Sequence, residues 1–158
     1  MGALLFSACN NEKCSPDGNS LTEGGGLNFR LVDARTGRDL LAQTPGNGSP
    51  YSLDSVMVYN ERGEPQFRGP VDFRGEISFS TYGSTSDLKA LPFNTQVLRR
   101  FTLYLNRADQ DTIDIAFKLR KNDCGFSEFE NIIIRYNTQM VYEGNGITDI
   151  PSRVFRKK

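Results

Sequence analysis

The strongest constraint on the fold is the alternation of apolar and polar residues through positions 99–137. Phe101, Leu103 and Leu105 alternate with Thr102 and Tyr104, and Ile113, Ile115, Phe117 and Leu119 alternate with Asp114, Ala116 and Lys118. A period of two marks a strand with one face buried. Asn, Asp and Gln dominate positions 106–111, which predicts a turn returning the second strand antiparallel to the first. A second polar turn at 121–125 leads into 129–136, the most apolar strand of the chain. Phe101, Leu103, Ile113, Ile115, Phe117, Ile132 and Ile134 are the expected core. Ile132, Ile134 and Tyr136 share a parity that Phe129 breaks, so a bulge is expected near Glu130 and Asn131, or a Phe129 that points the other way.

Shorter strands are expected on either side of this block. In 27–32, Leu27, Phe29 and Leu31 alternate with Asn28, Arg30 and Val32; 33–37 turns the chain and 38–42 continues it. Positions 43–50 form a Gly, Pro, Asn and Ser loop. Positions 51–59 read as a strand covered on both sides, with Val56 and Val58 on one face and Leu53, Met57 and Tyr59 on the other. A hairpin turn at 60–65 precedes strands at 66–73 and 76–82, while 88–93 is open between a helical turn and an extended crossover. Positions 139–142 and 153–155 are edge-strand candidates, and no stretch keeps a useful helical period. The expected fold is therefore all-β: an antiparallel β-sandwich with Greek-key connections and seven to nine short strands. A length of 158 residues suits one such domain, placed here at 27–158.

Charge and composition narrow the function. Nineteen Lys and Arg balance nineteen Asp and Glu, so no net field draws the chain to nucleic acid. The sequence contains no His, which removes Ser-His-Asp and Cys-His pairs and the ordinary neutral-pH proton shuttle. Nothing implies a cofactor. No run of 18 or more apolar residues is present to span a bilayer as a helix.

Oxygen ligands gather at Asn106, Asp109, Asp111 and Asp114, a set that could hold calcium although its spacing is not that of an EF-hand. Turn chemistry plus one solvent-facing Asp explains the same letters. Glu128 and Glu130 would share a strand face, which suits paired-carboxylate glycosidase chemistry or a solvated sheet face. Arg153, Arg156, Lys157 and Lys158 form a basic tail of the kind that keeps a chain end in solvent.

The N-terminus is an apolar run, Leu4-Leu5-Phe6, then Ser7-Ala8-Cys9 and an abrupt change to Asn10-Asn11-Glu12-Lys13. It resembles the lipobox of a bacterial lipoprotein signal, here in truncated form over 1–9. The resemblance implies that Cys9 carries lipid and that the chain is held at the outer membrane or cell surface, or faces the periplasm. Positions 10–26 are rich in Asn, Ser and Gly and end in Gly24-Gly25-Gly26, the composition of a flexible tether with a reach of about 20 to 25 Å. From end to end the chain resembles the small outer-membrane lipoproteins of Bacteroidota. The string Leu31-Val32-Asp33-Ala34-Arg35-Thr36-Gly37-Arg38-Asp39-Leu40 is similar to the opening of transthyretin-like and carboxypeptidase-regulatory-like β-sandwich modules, and this supports the sandwich.

These resemblances imply a non-catalytic, lipid-anchored binding or accessory module of the cell envelope, docked on an outer-membrane protein complex or an extracellular polymer. The alternatives are a carboxylate-dependent glycoside hydrolase or glycan-binding protein, and a structural, adhesin-like surface domain. If Cys9 carries lipid, Cys14 and Cys124 are left as an even pair, and a disulfide between them would add about 4 to 5 kcal/mol on the loop-entropy model. Non-reducing peptide mapping of the exported protein should recover Cys14 and Cys124 in one linked pair.

Overall fold

The computed structural model describes residues 26–43, 48–69, 71, 73–81, 90–121, 127–145 and 150–158. Cys9, Cys14 and Cys124, with nearly all of the tether, lie outside the described residues. Nine strands are described: β1 Gly26–Asp33, β2 Met57–Tyr59, β3 Pro65–Arg68, β4 Glu76–Ser80, β5 Gln96–Asn106, β6 Asp109–Lys121, β7 Ser127–Tyr136, β8 Gln139–Gly144 and β9 Ile150–Lys157. They form a six-stranded sheet in the order β3-β2-β5-β6-β7-β8 and a three-stranded sheet in the order β4-β1-β9. The two sheets pack face to face as a β-sandwich. Among the described residues no helix is long and apolar enough to cross a membrane.

Strands β2 to β5 make the Greek key. β2 and β3 form a hairpin, β4 crosses to the other sheet beside β3, and β5 returns to pair antiparallel with β2. β5 to β8 then run as a meander. Among the described strands all the ladders are antiparallel except one, since β9 lies parallel to β1. The stretch 153–155 is thus an edge strand, as expected, but one that reaches the smaller sheet by crossing over from β8.

The alternation fixes the core. Phe101, Leu103, Ile113, Ile115, Phe117, Ile132 and Ile134 are all buried. Phe129 is buried with them because β7 carries the expected bulge. Ala116 pairs with Ile133 and Lys118 with Glu130, so three steps on β7 oppose two on β6. Asn131 takes up the extra residue at φ +51°, a left-handed conformation that Asn tolerates well. Between the sheets, Phe155 of β9 stacks on Phe29 at 4.6 Å and on Tyr136 at 4.9 Å. Phe79 extends this file of rings from Phe29 to Phe101.

Several local expectations are corrected. Of 51–59 only Met57–Tyr59 is strand, because Leu53–Ser55 forms a 3-10 turn closed by the Ser55 amide on the Ser52 carbonyl. The turn also moves Leu53 to the buried side with Val56 and Val58, while Met57 and Tyr59 stay half-buried on the outer face, so this strand is covered on one side. Positions 38–42 contribute only a bridge between Asp39 and Val32, because the Asp39 carboxylate caps the Leu41 and Ala42 amides. The strand expected at 66–73 stops at Arg68. The β5–β6 turn is tighter than the expected 106–111, and Asp109 and Asp111 belong to β6. The part of 88–93 that is described ends extended, with Phe93 bridging to Leu119.

The β7–β8 hairpin turns through Asn137 at φ +46° and Thr138 at φ +70°. Two consecutive left-handed residues match a type I′ turn, whose second position favours Gly. A β-branched residue there is strained, so Thr138→Gly should raise unfolding stability by about 1 kcal/mol, read as a higher urea midpoint at unchanged slope.

Candidate functional site

Four turns or strand ends meet at the end of the sandwich farthest from Gly26: Asp33 with its turn, the Asn106–Asp109 turn, the Asn137–Thr138 turn, and the close of β9. Lys157 lies at their centre. Its ammonium is 2.6 Å from Asp109 Oδ1 and 2.6 Å from Asp111 Oδ2. Asp111 also accepts hydrogen bonds from Tyr136 Oη and Asn137 Nδ2, each at 2.6 Å, and Asp109 accepts one from Tyr51 Oη at 2.7 Å. The Asp111 side chain is 5% exposed and that of Lys157 13%, so burial makes each dependent on the other.

The titration of these groups follows from that geometry. Burial works to raise the Asp109 carboxyl pKa, but the hydrogen bonds from Lys157 and Tyr51 outweigh it and hold it below the ordinary range. Burial works to lower the Lys157 pKa, and the two carboxylates outweigh that in turn, so the ammonium is held above its usual value. Burial, then Asp111, raises the Tyr136 hydroxyl; burial, then Asp109, raises that of Tyr51. Every one of these shifts holds its group in the protonation state that completes the network.

The calcium candidates are arranged otherwise than a cation cage needs. Asn106 Oδ1 accepts the Ala108 amide within its own turn, and Asp114 pairs with Arg100 at 2.7 Å. Asp109 and Asp111 do converge, but the Lys157 ammonium stands where a bound cation would. Among the described residues no cluster of three or more acidic or thiol side chains is placed to hold a metal ion. Arg120 bridges the paired carboxylates, reaching Glu130 at 2.8 Å and Glu128 at 3.3 Å, so both belong to a cross-strand ion network. Of the basic tail, Lys157 is drawn into the cluster, and the Arg153 guanidinium lies 3.8 Å from the centre of the Tyr142 ring. Two of the four basic residues are thus part of the packing, and Arg156 and Lys158 are exposed as expected.

Tyr51 also lines a shallow open depression of about 610 Å³ with Ser49, Ser52, Leu53, Asp54 and Val71. Asp54 is the one acid among its described lining residues. On the outer face of the larger sheet, Leu98 and Met140 are each 60% exposed, among the pairs Arg100–Asp114 and Arg120–Glu130. Sequence reasoning missed the roles of Lys157, Tyr51, Tyr136 and Asn137. Their partners lie 25 to 58 residues away in the chain, and no local pattern links them. The chain matches no protein-family model, no curated protein and no solved structure. Fold and side-chain chemistry define its class: an all-β sandwich whose most buried polar cluster ties β6, β7 and β9 together.

Removing Lys157 leaves a buried carboxylate without its cation, so Lys157→Met should cost about 3 kcal/mol in urea unfolding at pH 7. Adding Asp111→Leu should recover part of that loss. In the wild type, the contribution of Asp109 is complete above its unfolded-state value of about 3.9 and is lost as pH falls through its lower folded value. That of Lys157 is complete below about 10.4 and is lost as pH rises through its higher folded value. The wild type minus Lys157→Met difference should be largest near neutral pH, shrinking as pH rises through the folded Lys157 value and as acid protonates the carboxylates that the variant leaves unpaired.

Proposed function

We propose that this chain is a non-catalytic, lipid-anchored binding module of a bacterial cell envelope, held to the membrane by lipid on Cys9. One observation carries the non-catalytic part. The acids that the sequence singles out as candidates, Asp109, Asp111, Asp114, Glu128 and Glu130, are each tied to an Arg or Lys of the same chain. A glycoside hydrolase needs two carboxylates free to face its substrate, one as acid and one as base or nucleophile.

The anchoring part rests on the lipobox-like Ser7-Ala8-Cys9 and the tether that follows it. A single acyl chain binds a membrane only marginally, and lipoprotein processing supplies more than one at such a cysteine. A tether reaching Gly26 would leave the Lys157 cluster at the end of the domain turned away from the bilayer. The domain would then act through local concentration beside other envelope components, an outer-membrane protein complex or an extracellular polymer, with the outer membrane or cell surface favoured over the periplasm.

Expressed in a bacterium behind a complete signal sequence, the wild type should label with palmitate and partition into the detergent phase, and Cys9→Ala should do neither. Equal labelling of both, or labelling of neither, overturns the anchor.

A further inference from the structure

The geometry points to one corner of the larger sheet's outer face as a binding platform for a neutral polysaccharide, built from Met57, Tyr59, Thr102, Tyr104, Gln110 and Thr112. This rests on the reading of the chain as a binding module and names the ligand class of that module.

Register puts the six residues together. Met57 pairs with Tyr104 and Tyr59 with Thr102 across β2 and β5; Tyr104 pairs with Gln110 and Thr102 with Thr112 across β5 and β6. Their neighbours Val58, Leu103, Asp111 and Ile113 are buried on the inner side, so alternation turns all six outward. Three adjacent strands with two outward residues on each give an area of roughly 10 by 7 Å, about the footprint of two sugar rings. Tyr59 and Tyr104 lie diagonally across it, a spacing of about 7 Å.

The chemistry of this corner differs from the rest of the face. Farther along the same strands, Arg100 pairs with Asp114 and Arg120 with Glu130, and their charges satisfy one another. None of the six platform residues is charged. The side chains of Thr102, Tyr104 and Gln110 make no hydrogen bond among the described residues. Thr112 offers its hydroxyl to Asn137 Oδ1 at a long 3.4 Å. The Tyr59 hydroxyl donates to the Met57 sulfur, a weak acceptor, which also lays the ring along the strand. Donors and acceptors are thus available around two aromatic rings, with no charge among the six residues themselves.

That combination selects its ligand. The polarised C–H face of a pyranose matches the negative face of an aromatic ring, and sugar hydroxyls match Tyr, Thr and Gln. An anionic polymer would find no cation among the six. A protein partner of useful affinity would need a larger surface with a desolvated apolar centre.

The test is calorimetric titration of the full chain with cellohexaose, laminarihexaose, xylohexaose and mannohexaose, with an alginate hexamer as the charged comparison. At least one neutral hexasaccharide should bind, weakly, and the double variant Tyr59→Ala/Tyr104→Ala should weaken that binding about tenfold or more. Gln110→Lys, at an exposed position that leaves the fold intact, should weaken it severalfold, whereas Lys118→Ala should leave it unchanged. The proposal is overturned if none of the four binds at about 5 mM, if only alginate binds, or if binding survives both the double variant and Gln110→Lys. Palmitate labelling of Cys9 reads the anchor separately, so either idea can fail alone.

Discussion

The sandwich depends on the docking of its last strand. β9 supplies Phe155, whose ring lies between Phe29 of the smaller sheet and Tyr136 of the larger one. A buried Phe removes a large apolar surface from water, and the two stacked contacts add to that burial. Without β9, β1 would lose one of its two ladders, and the core would open along the seam between β1 and β7. Two residues beyond Phe155, on the same side of the strand, Lys157 enters the carboxylate pair of β6. A one-residue slip of β9 would turn both side chains to solvent, so the aromatic stack and the ion cluster enforce one register.

The polar cluster therefore acts chiefly on specificity of packing. Taking an ammonium and a carboxylate out of water costs several kcal/mol per ion, and their attraction offsets this only when the remaining hydrogen-bonding positions are filled. Tyr136, Asn137 and Tyr51 fill them. Asn137 has a second duty, since its Oδ1 accepts the Thr112 amide and so joins the β7–β8 turn to β6. The inner side of this end of the domain is thereby rigid and chemically closed. Its outer side, with the uncharged Tyr and Thr of β2, β5 and β6, keeps unused hydrogen-bonding groups facing solvent.

Much of this was legible in the sequence. Strict alternation gave the three long strands, their inward faces and the all-β class, because a strand's period of two is a local property that needs no partner to be visible. The parity break at Phe129 left two outcomes, a bulge near Glu130 and Asn131 or a Phe129 turned the other way, and the structure takes the bulge. Turn chemistry found the chain reversals but overestimated the one after Asn106, since Asp and Gln serve equally in a turn or on the wet face of a strand. Strand length was misread at 51–59 and 66–73, where Ser, Asp, Gly and Pro weaken the ladder within a stretch that remains apolar.

Sequence by itself determined which apolar residues of the three long strands are buried and which chemistries lack the His they would need. Only the tertiary structure decided that β9 lies parallel to β1, that Lys157 belongs to the interior, and that Asp109 and Asp111 meet an ammonium of their own chain. The physical reason is distance along the chain. Lys157 and Asp111 are 46 residues apart, and nothing local to either encodes a pairing that exists only once two sheets have closed over the same aromatic core.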